Sequence, residues 1–124
     1  MRLLIDTHTF LWWSGTSSSL SIAARDAIAN PANDACISIA SLWKLAIKNS
    51  LRKLPLPDDL ETMVASQGFS VLAIDFVHLR RFGALPLHHR DPFDRMMIAQ
   101  ALTEGIPIAT ADSKFAQYGV QIVW

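Results

Sequence analysis

The chain has 124 residues, 51% of them apolar, with 11 basic and 11 acidic side chains for a formal net charge of zero. That size and composition lead us to expect one domain (residues 1–124) with a substantial core, and they exclude a disordered chain, a membrane span and a strongly basic nucleic-acid binder. The single cysteine, Cys36, excludes an internal disulfide, no Cys/His zinc spacing is present, and the apolar start is too short for a signal peptide, so a cytoplasmic protein is the expectation.

Residues 2–5 are an apolar run and predict a buried strand. Asp6 ends it, and Thr7, His8 and Thr9 lead into a short helix over residues 10–13 that Gly15 stops. Residues 16–19 are a loop; Ser19 or Ser21 then caps a helix to Asn30, and residues 30–34 make a turn. A second strand over residues 35–39 precedes a helix over residues 40–51. Residues 54–57 connect it to a helix opened by Pro57, Asp58 and Asp59 that runs to Ser66, with Gly68 at its end. A third strand, residues 69–74, is followed by a helix through about Phe82, and residues 85–90 are a loop. Asp91 is a good N-cap, Pro92 suits the first helical position, and Asp94 falls in the first turn, where the helix N-terminus favours negative charge. That helix runs to Glu104, with Gly105 beyond it. A fourth strand (106–110), a one-turn helix opened by Asp112, Ser113, Lys114 and Phe115, and a last strand (120–124) complete the chain. Trp43, Met96 and Met97 are expected in the core.

Continuously apolar strands alternating with helices are the pattern of a parallel sheet covered on both faces. In such a sheet function sits beyond the carboxyl ends of the strands, at the topological switch point. Asp6 directly follows the first strand, Asp112 follows the fourth by one residue, and Asp94 opens the helix before the fourth. If the first and fourth strands are neighbours, these carboxylates meet in one crevice, and their repulsion calls for a cation. Oxygen ligands without His or Cys select Mg²⁺ or Mn²⁺. A site of that kind suits phosphodiester hydrolysis, since the metal activates a water and stabilises the charged transition state. Each acid also has a plainer reading, with Asp6, Asp91 and Asp112 as helix caps.

Four segments carry a family resemblance: Ile5-Asp6-Thr7-His8-Thr9-Phe10-Leu11-Trp12-Trp13, Ser38-Ile39-Ala40-Ser41-Leu42-Trp43, His89-Arg90-Asp91-Pro92-Phe93-Asp94-Arg95 and Thr110-Ala111-Asp112-Ser113-Lys114-Phe115. In that order they resemble a PIN domain, and most closely the VapC-type toxins of bacterial type II toxin–antitoxin pairs. The resemblance extends across nearly the whole chain. It implies an α/β fold in three layers, α/β/α, around a central parallel sheet of four to five strands. It also implies Mg²⁺- or Mn²⁺-dependent endoribonuclease chemistry on RNA, inhibition by a small cognate antitoxin, and homodimers. By match to the motifs, Asp6, Asp94 and Asp112 are implied as the catalytic, metal-binding acids, with Asp91 as an auxiliary acid.

One matching position departs from the family pattern. Ser-Leu-Trp-Glu-x-Ala-x-Lys is here Ser41-Leu42-Trp43-Lys44-Leu45-Ala46-Ile47-Lys48, so a lysine stands where an acid is expected. Lys44 and Lys48 are one helical turn apart and repel, where Glu followed by Lys would attract. Three readings stay open. Lys44 places its ammonium where a cation would sit and weakens or abolishes the nuclease; or the remaining acids still hold one metal; or Lys44 points to solvent and changes little.

Several further residues have paired readings. His8 touches substrate or caps the first helix. Thr7 and Thr110 orient the acids by hydrogen bonds or satisfy strand-end backbone groups. Ser38 contacts phosphate or caps the following helix. Arg95 binds phosphate or pairs with a nearby acid. His88, His89 and Arg90 contact the RNA backbone or form a solvated loop. The antitoxin surface is sought on the helices holding residues 10–13 and 42–47. The functional expectation is a VapC-like ribonuclease; the rival is a catalytically silent protein of the same fold that acts through antitoxin or RNA binding. A receiver-like signalling domain is disfavoured, because Asp6 lacks the acidic neighbour such a site needs.

Overall fold

The computed structural model describes residues 1–56 and 58–124. The expected helix start at Pro57 therefore lies outside the described residues. The element order is β1 (Arg2–Ile5), α1 (Thr7–Ser14), α2 (Ile22–Ala29), β2 (Asp34–Ser38), α3 (Ile39–Ser50), α4 (Leu60–Ser66), β3 (Ser70–Leu72), α5 (Phe76–Ala84), α6 (Pro92–Glu104), β4 (Ile108–Ala109), a 3-10 helix (Ser113–Tyr118) and β5 (Ile122–Val123). All strand pairs are parallel, in the order β3-β2-β1-β4-β5. None of the helices is long and apolar enough to cross a membrane, among the described residues.

The pleat of β1 explains the two core layers. Leu3 and Ile5 face one side, with Phe10 of α1, Ile28 of α2, Leu45 of α3 and Val64 of α4. Leu4 faces the other, with Met97 and Ile98 of α6 and Phe115 of the 3-10 helix. α5 packs on α6. The result is the expected α/β/α sandwich, with β1 buried in its centre.

The structure corrects several bounds. α1 begins at Thr7, not residue 10, because Asp6 is its N-cap and accepts the Thr9 N–H. β4 and β5 have two residues each, the span over which β4 pairs with its neighbours. The helix after Asp112 is longer than one turn: six residues end at Tyr118, and Gly119 caps them in the left-handed conformation. Met96 and Met97 are buried as expected, but Trp43 is 60% exposed, because it lies on the outer side of α3 with its ring edge-on to Phe93.

Candidate active site

The sheet order reverses between β1 and β4: the chain builds outward from β1 to β2 and β3, then returns to β4 on the opposite side. Their register, Leu4 with Ile108 and Ile5 with Ala109, brings the ends of both strands together. Asp6 leaves the end of β1 and is buried. Its Oδ1 accepts the Thr9 N–H at 2.8 Å, and its Oδ2 accepts the Thr110 hydroxyl from beyond β4. The same Thr110 oxygen accepts the Asp112 N–H at 3.0 Å, and the Thr9 hydroxyl donates to the Ala109 carbonyl at 2.9 Å. Two strand ends are thus stitched together through an acid and two threonines.

α6 supplies the opposing wall. Asp91 caps it, accepting the N–H groups of Phe93 and Asp94 at 2.8 and 3.2 Å on Oδ1. Pro92 costs nothing there, since the first-turn N–H groups have no helical partner. Lys44 reaches across from α3. Its Nζ lies 2.6 Å from Asp91 Oδ2 and 3.9 Å from Asp94 Oδ1, with 16% of the side chain exposed. The solvent-facing reading of Lys44 is therefore overturned: the second turn of α3 aims that position at the acids.

His89 completes the cluster, and it is the residue sequence reasoning missed in this role. Its Nε2 lies 3.0 Å from Asp94 Oδ2 and 3.3 Å from Asp112 Oδ2, while its Nδ1 accepts the Asp91 N–H at 3.2 Å. Among the described residues, the potential metal-ligating atoms within 4.8 Å of one another are those of His89, Asp94 and Asp112. Asp6 is outside that trio and is tied to it through Thr110, which bonds both the Asp6 carboxylate and the Asp112 N–H. The one signal available in sequence was the place of His89 two residues before the Asp91 cap, close enough for its ring to fold back on the cap's own N–H. The Tyr118 hydroxyl, which sequence reasoning did not single out, accepts the backbone N–H groups of His88 and His89 and fixes this approach.

The electrostatics follow from burial and neighbours. Burial pushes the Asp94 carboxyl above its ordinary value; Lys44 and His89 oppose this, while Asp91 and Asp6 add to it. Burial also pushes Asp91 upward, but the Lys44 hydrogen bond, two backbone N–H groups and the Lys44 charge together hold it below its ordinary value. Adjacent carboxylates are thus driven apart in proton affinity, with the lysine on the more acidic one.

The remaining candidates divide. Thr110 orients Asp6, whereas the buried Thr7 hydroxyl has no hydrogen-bond partner among the described residues. Ser38 is the cap of α3: its hydroxyl accepts the Ala40 N–H and donates to Gln100 in the core. His8 is exposed and tilts against Trp12; the cap of α1 is Asp6 instead. Arg95 stacks on the Phe82 ring at 4.7 Å and donates to the Leu85 carbonyl, so it is engaged with α5 and the loop beyond it.

The sequence model of a family described as PIN domain matches residues 3–121. Among proteins of curated function no sequence matches. Solved structures do. VapBC2 of Rickettsia felis, bound to a DNA fragment from the promoter, superposes with a TM-score of 0.73 at 13% identity, covering 98% of this chain and 97% of that one. DNA-bound VapBC of Salmonella typhimurium gives 0.71 at 20% identity, with 98% and 96% covered. A toxin–antitoxin complex of Klebsiella pneumoniae gives 0.65 at 18% identity, with 98% and 96% covered. At these identities the likeness is one of fold.

Proposed function

We propose a function from a fixed premise: the chain belongs to the PIN domain family, whose sequence model spans residues 3–121. Our reading is a VapC-like toxin, a Mg²⁺- or Mn²⁺-dependent endoribonuclease weakened by Lys44. The observation that carries it is the convergence of Asp94 and Asp112 at the β1/β4 switch point, with Asp6 linked to Asp112 through Thr110 and the Lys44 ammonium on the Asp91 side. The full-length structural likeness to VapBC and toxin–antitoxin complexes supports the toxin part.

The donor set fits a hard divalent cation, because carboxylate oxygens from three segments face one cleft. Asp94 and Asp112 would hold it, with Asp6 and Asp91 as supporting acids. When bound, such an ion supplies Lewis-acid stabilisation of a phosphodiester and an activated water. The chain's own residues do the rest. Thr110 holds Asp6 and the Asp112 backbone in register. Asp91 anchors the start of α6 and so aims Asp94. Lys44 occupies an Asp91 oxygen and lowers the negative potential of the cleft, which weakens cation binding. Replacing the family's acid with lysine changes the formal charge there by about two units.

A second reading has a specific observation in its favour. Every carboxylate oxygen of Asp6, Asp91, Asp94 and Asp112 already has a protein partner within 4.0 Å. That suits a catalytically silent protein that acts by binding antitoxin or RNA. The deciding experiment is RNA cleavage by this chain, Lys44→Glu and Asp94→Asn, with and without Mn²⁺. The favoured reading expects weak, Mn²⁺-stimulated cleavage, a gain in Lys44→Glu and loss in Asp94→Asn. No cleavage by any of the three leaves the silent reading.

For partners we propose a homodimer and a cognate antitoxin. Trp43, Leu79, Phe82 and Phe93 line an apolar recess of about 300 Å³ between α3, α5 and α6, and Phe76, at the start of α5, is 78% exposed. That face suits a second copy of the chain. A separate recess of about 510 Å³, lined by Trp13, Leu20, Arg25 and Gln67, lies at the end of α1 and suits the antitoxin.

A further inference from the structure

We infer that His89 is an internal competitor for the cation site: its ring N–H bridges Asp94 and Asp112 and must leave before a divalent cation binds between them. The inference rests on the reading of Asp94 and Asp112 as metal ligands.

The argument begins with the proton count of imidazole. A neutral ring has one N–H and one lone pair. The lone pair is spent on Nδ1, which accepts the Asp91 N–H at 3.2 Å. The proton is therefore on Nε2, the nitrogen that faces the carboxylates at 3.0 and 3.3 Å. A metal ligand must offer a lone pair at that position, and His89 offers a hydrogen. While the Asp91 contact holds, His89 is a donor to the acids and not their co-ligand.

The position of the ring is also specified from outside the cluster. The backbone N–H groups of His88 and His89 both donate to the Tyr118 hydroxyl, at 2.9 and 2.8 Å. The Phe115 and His89 rings form a T-shaped pair at a 6.0 Å centroid distance. Tyr118 and Phe115 belong to the 3-10 helix, so the segment after β4 carries both Asp112 and the groups that hold His89 against it. The bridge joins that segment to the first turn of α6 through the two acids a cation would otherwise join. Lys44 faces the other Asp94 oxygen, so His89 and Lys44 divide this carboxylate between them. The two act differently on it: Lys44 reduces the site's negative charge, and His89 closes its geometry.

The test is calorimetric titration of Mn²⁺ into four full-length proteins: the unaltered chain, His89→Phe, Lys44→Glu, and the Lys44→Glu/His89→Phe double variant. Phenylalanine keeps a ring against Phe115 but has no N–H. Removing the bridge is expected to tighten Mn²⁺ binding about tenfold in either background, the scale of one charge-assisted hydrogen bond. Equal or weaker binding without His89 overturns the inference, and weaker binding would make His89 a ligand. Should the His89→Phe proteins fail to fold, nitrogen NMR of the Lys44→Glu ring decides. With saturating Mg²⁺ the ring is expected to keep its Nε2 proton, and a proton moved to Nδ1 overturns the inference. These readouts do not involve RNA. Tighter Mn²⁺ binding without cleavage by any variant supports the competitor role while sinking the nuclease reading.

Discussion

The Lys44–Asp91 pair, at 2.6 Å, is the shortest ion pair at the site and the easiest to test by substitution. Asp91 has a carboxyl held below its ordinary value, against the opposing effect of burial, by the Lys44 hydrogen bond and backbone donors. A depressed carboxyl contributes stability that is present above the ordinary range and lost as pH falls through the folded value. Asp94 has the opposite sign: burial raises it, so its contribution declines as pH rises from the ordinary carboxylate value through the raised one. Lys44→Met removes the partner of Asp91. We expect a loss of about 1 kcal/mol at neutral pH, discounted for partial exposure, and a shallower fall in stability below about pH 4. Urea denaturation across that range measures both; an unchanged acid slope would show that the pair does not set it. Cys36 gives a second residue-scale prediction. Burial pushes its thiol up to about 11, so little thiolate forms near neutrality. A thiol reagent at pH about 8 should label the native chain only as fast as it opens. Rapid labelling would contradict that burial.

At the scale of elements, the site depends on where helices start. Asp6, Ser38, Asp91 and Asp112 are each the cap of the helix that follows, and those helices carry Lys44 and Asp94 to the cleft. Ser38 has a second duty, since its hydroxyl also satisfies Gln100 on α6, whose amide donates to the Ala73 carbonyl. Ser38→Ala should therefore cost more than an exposed cap, about 2 kcal/mol, because a buried Gln100 oxygen loses its donor. Chemical denaturation tests this, and a change under about 0.5 kcal/mol would mean that the region relaxes around the loss. Elements with caps and periodic apolar residues were legible in the sequence. Ends set by pairing were not: β4 was expected over residues 106–110, but it spans Ile108–Ala109, the length paired with β1. Strand ends depend on a neighbour that local sequence does not contain.

For the whole molecule, the acidic cleft and the apolar recess share a boundary. Lys44 and Trp43 are consecutive on α3; one reaches Asp91, and the other lies against Phe93 on the same turn of α6. A partner on the recess would therefore sit beside the site. If that partner is a second copy, sedimentation should find dimers, and Trp43→Asp should shift them to monomers at equal concentration, because a charge there would be desolvated in the interface. Monomers in the unaltered chain would remove the homodimer reading.

What the sequence by itself determined was the alternation of strands and helices, the parallel sheet, the capped start of α6 and the acids at strand and helix ends. All of these follow from local patterns: apolar runs, cap residues and proline at the first helical position. It also named Lys44 as the departure from the family pattern. Only the tertiary structure decided that Lys44 turns inward to Asp91, that Asp6 is held by Thr110 outside the His89, Asp94 and Asp112 trio, and that Arg95 joins Phe82. These outcomes depend on contacts between residues far apart in the chain. Spacing gives the direction of a side chain around its own helix, but the distance to a partner on another element is set by how the layers pack.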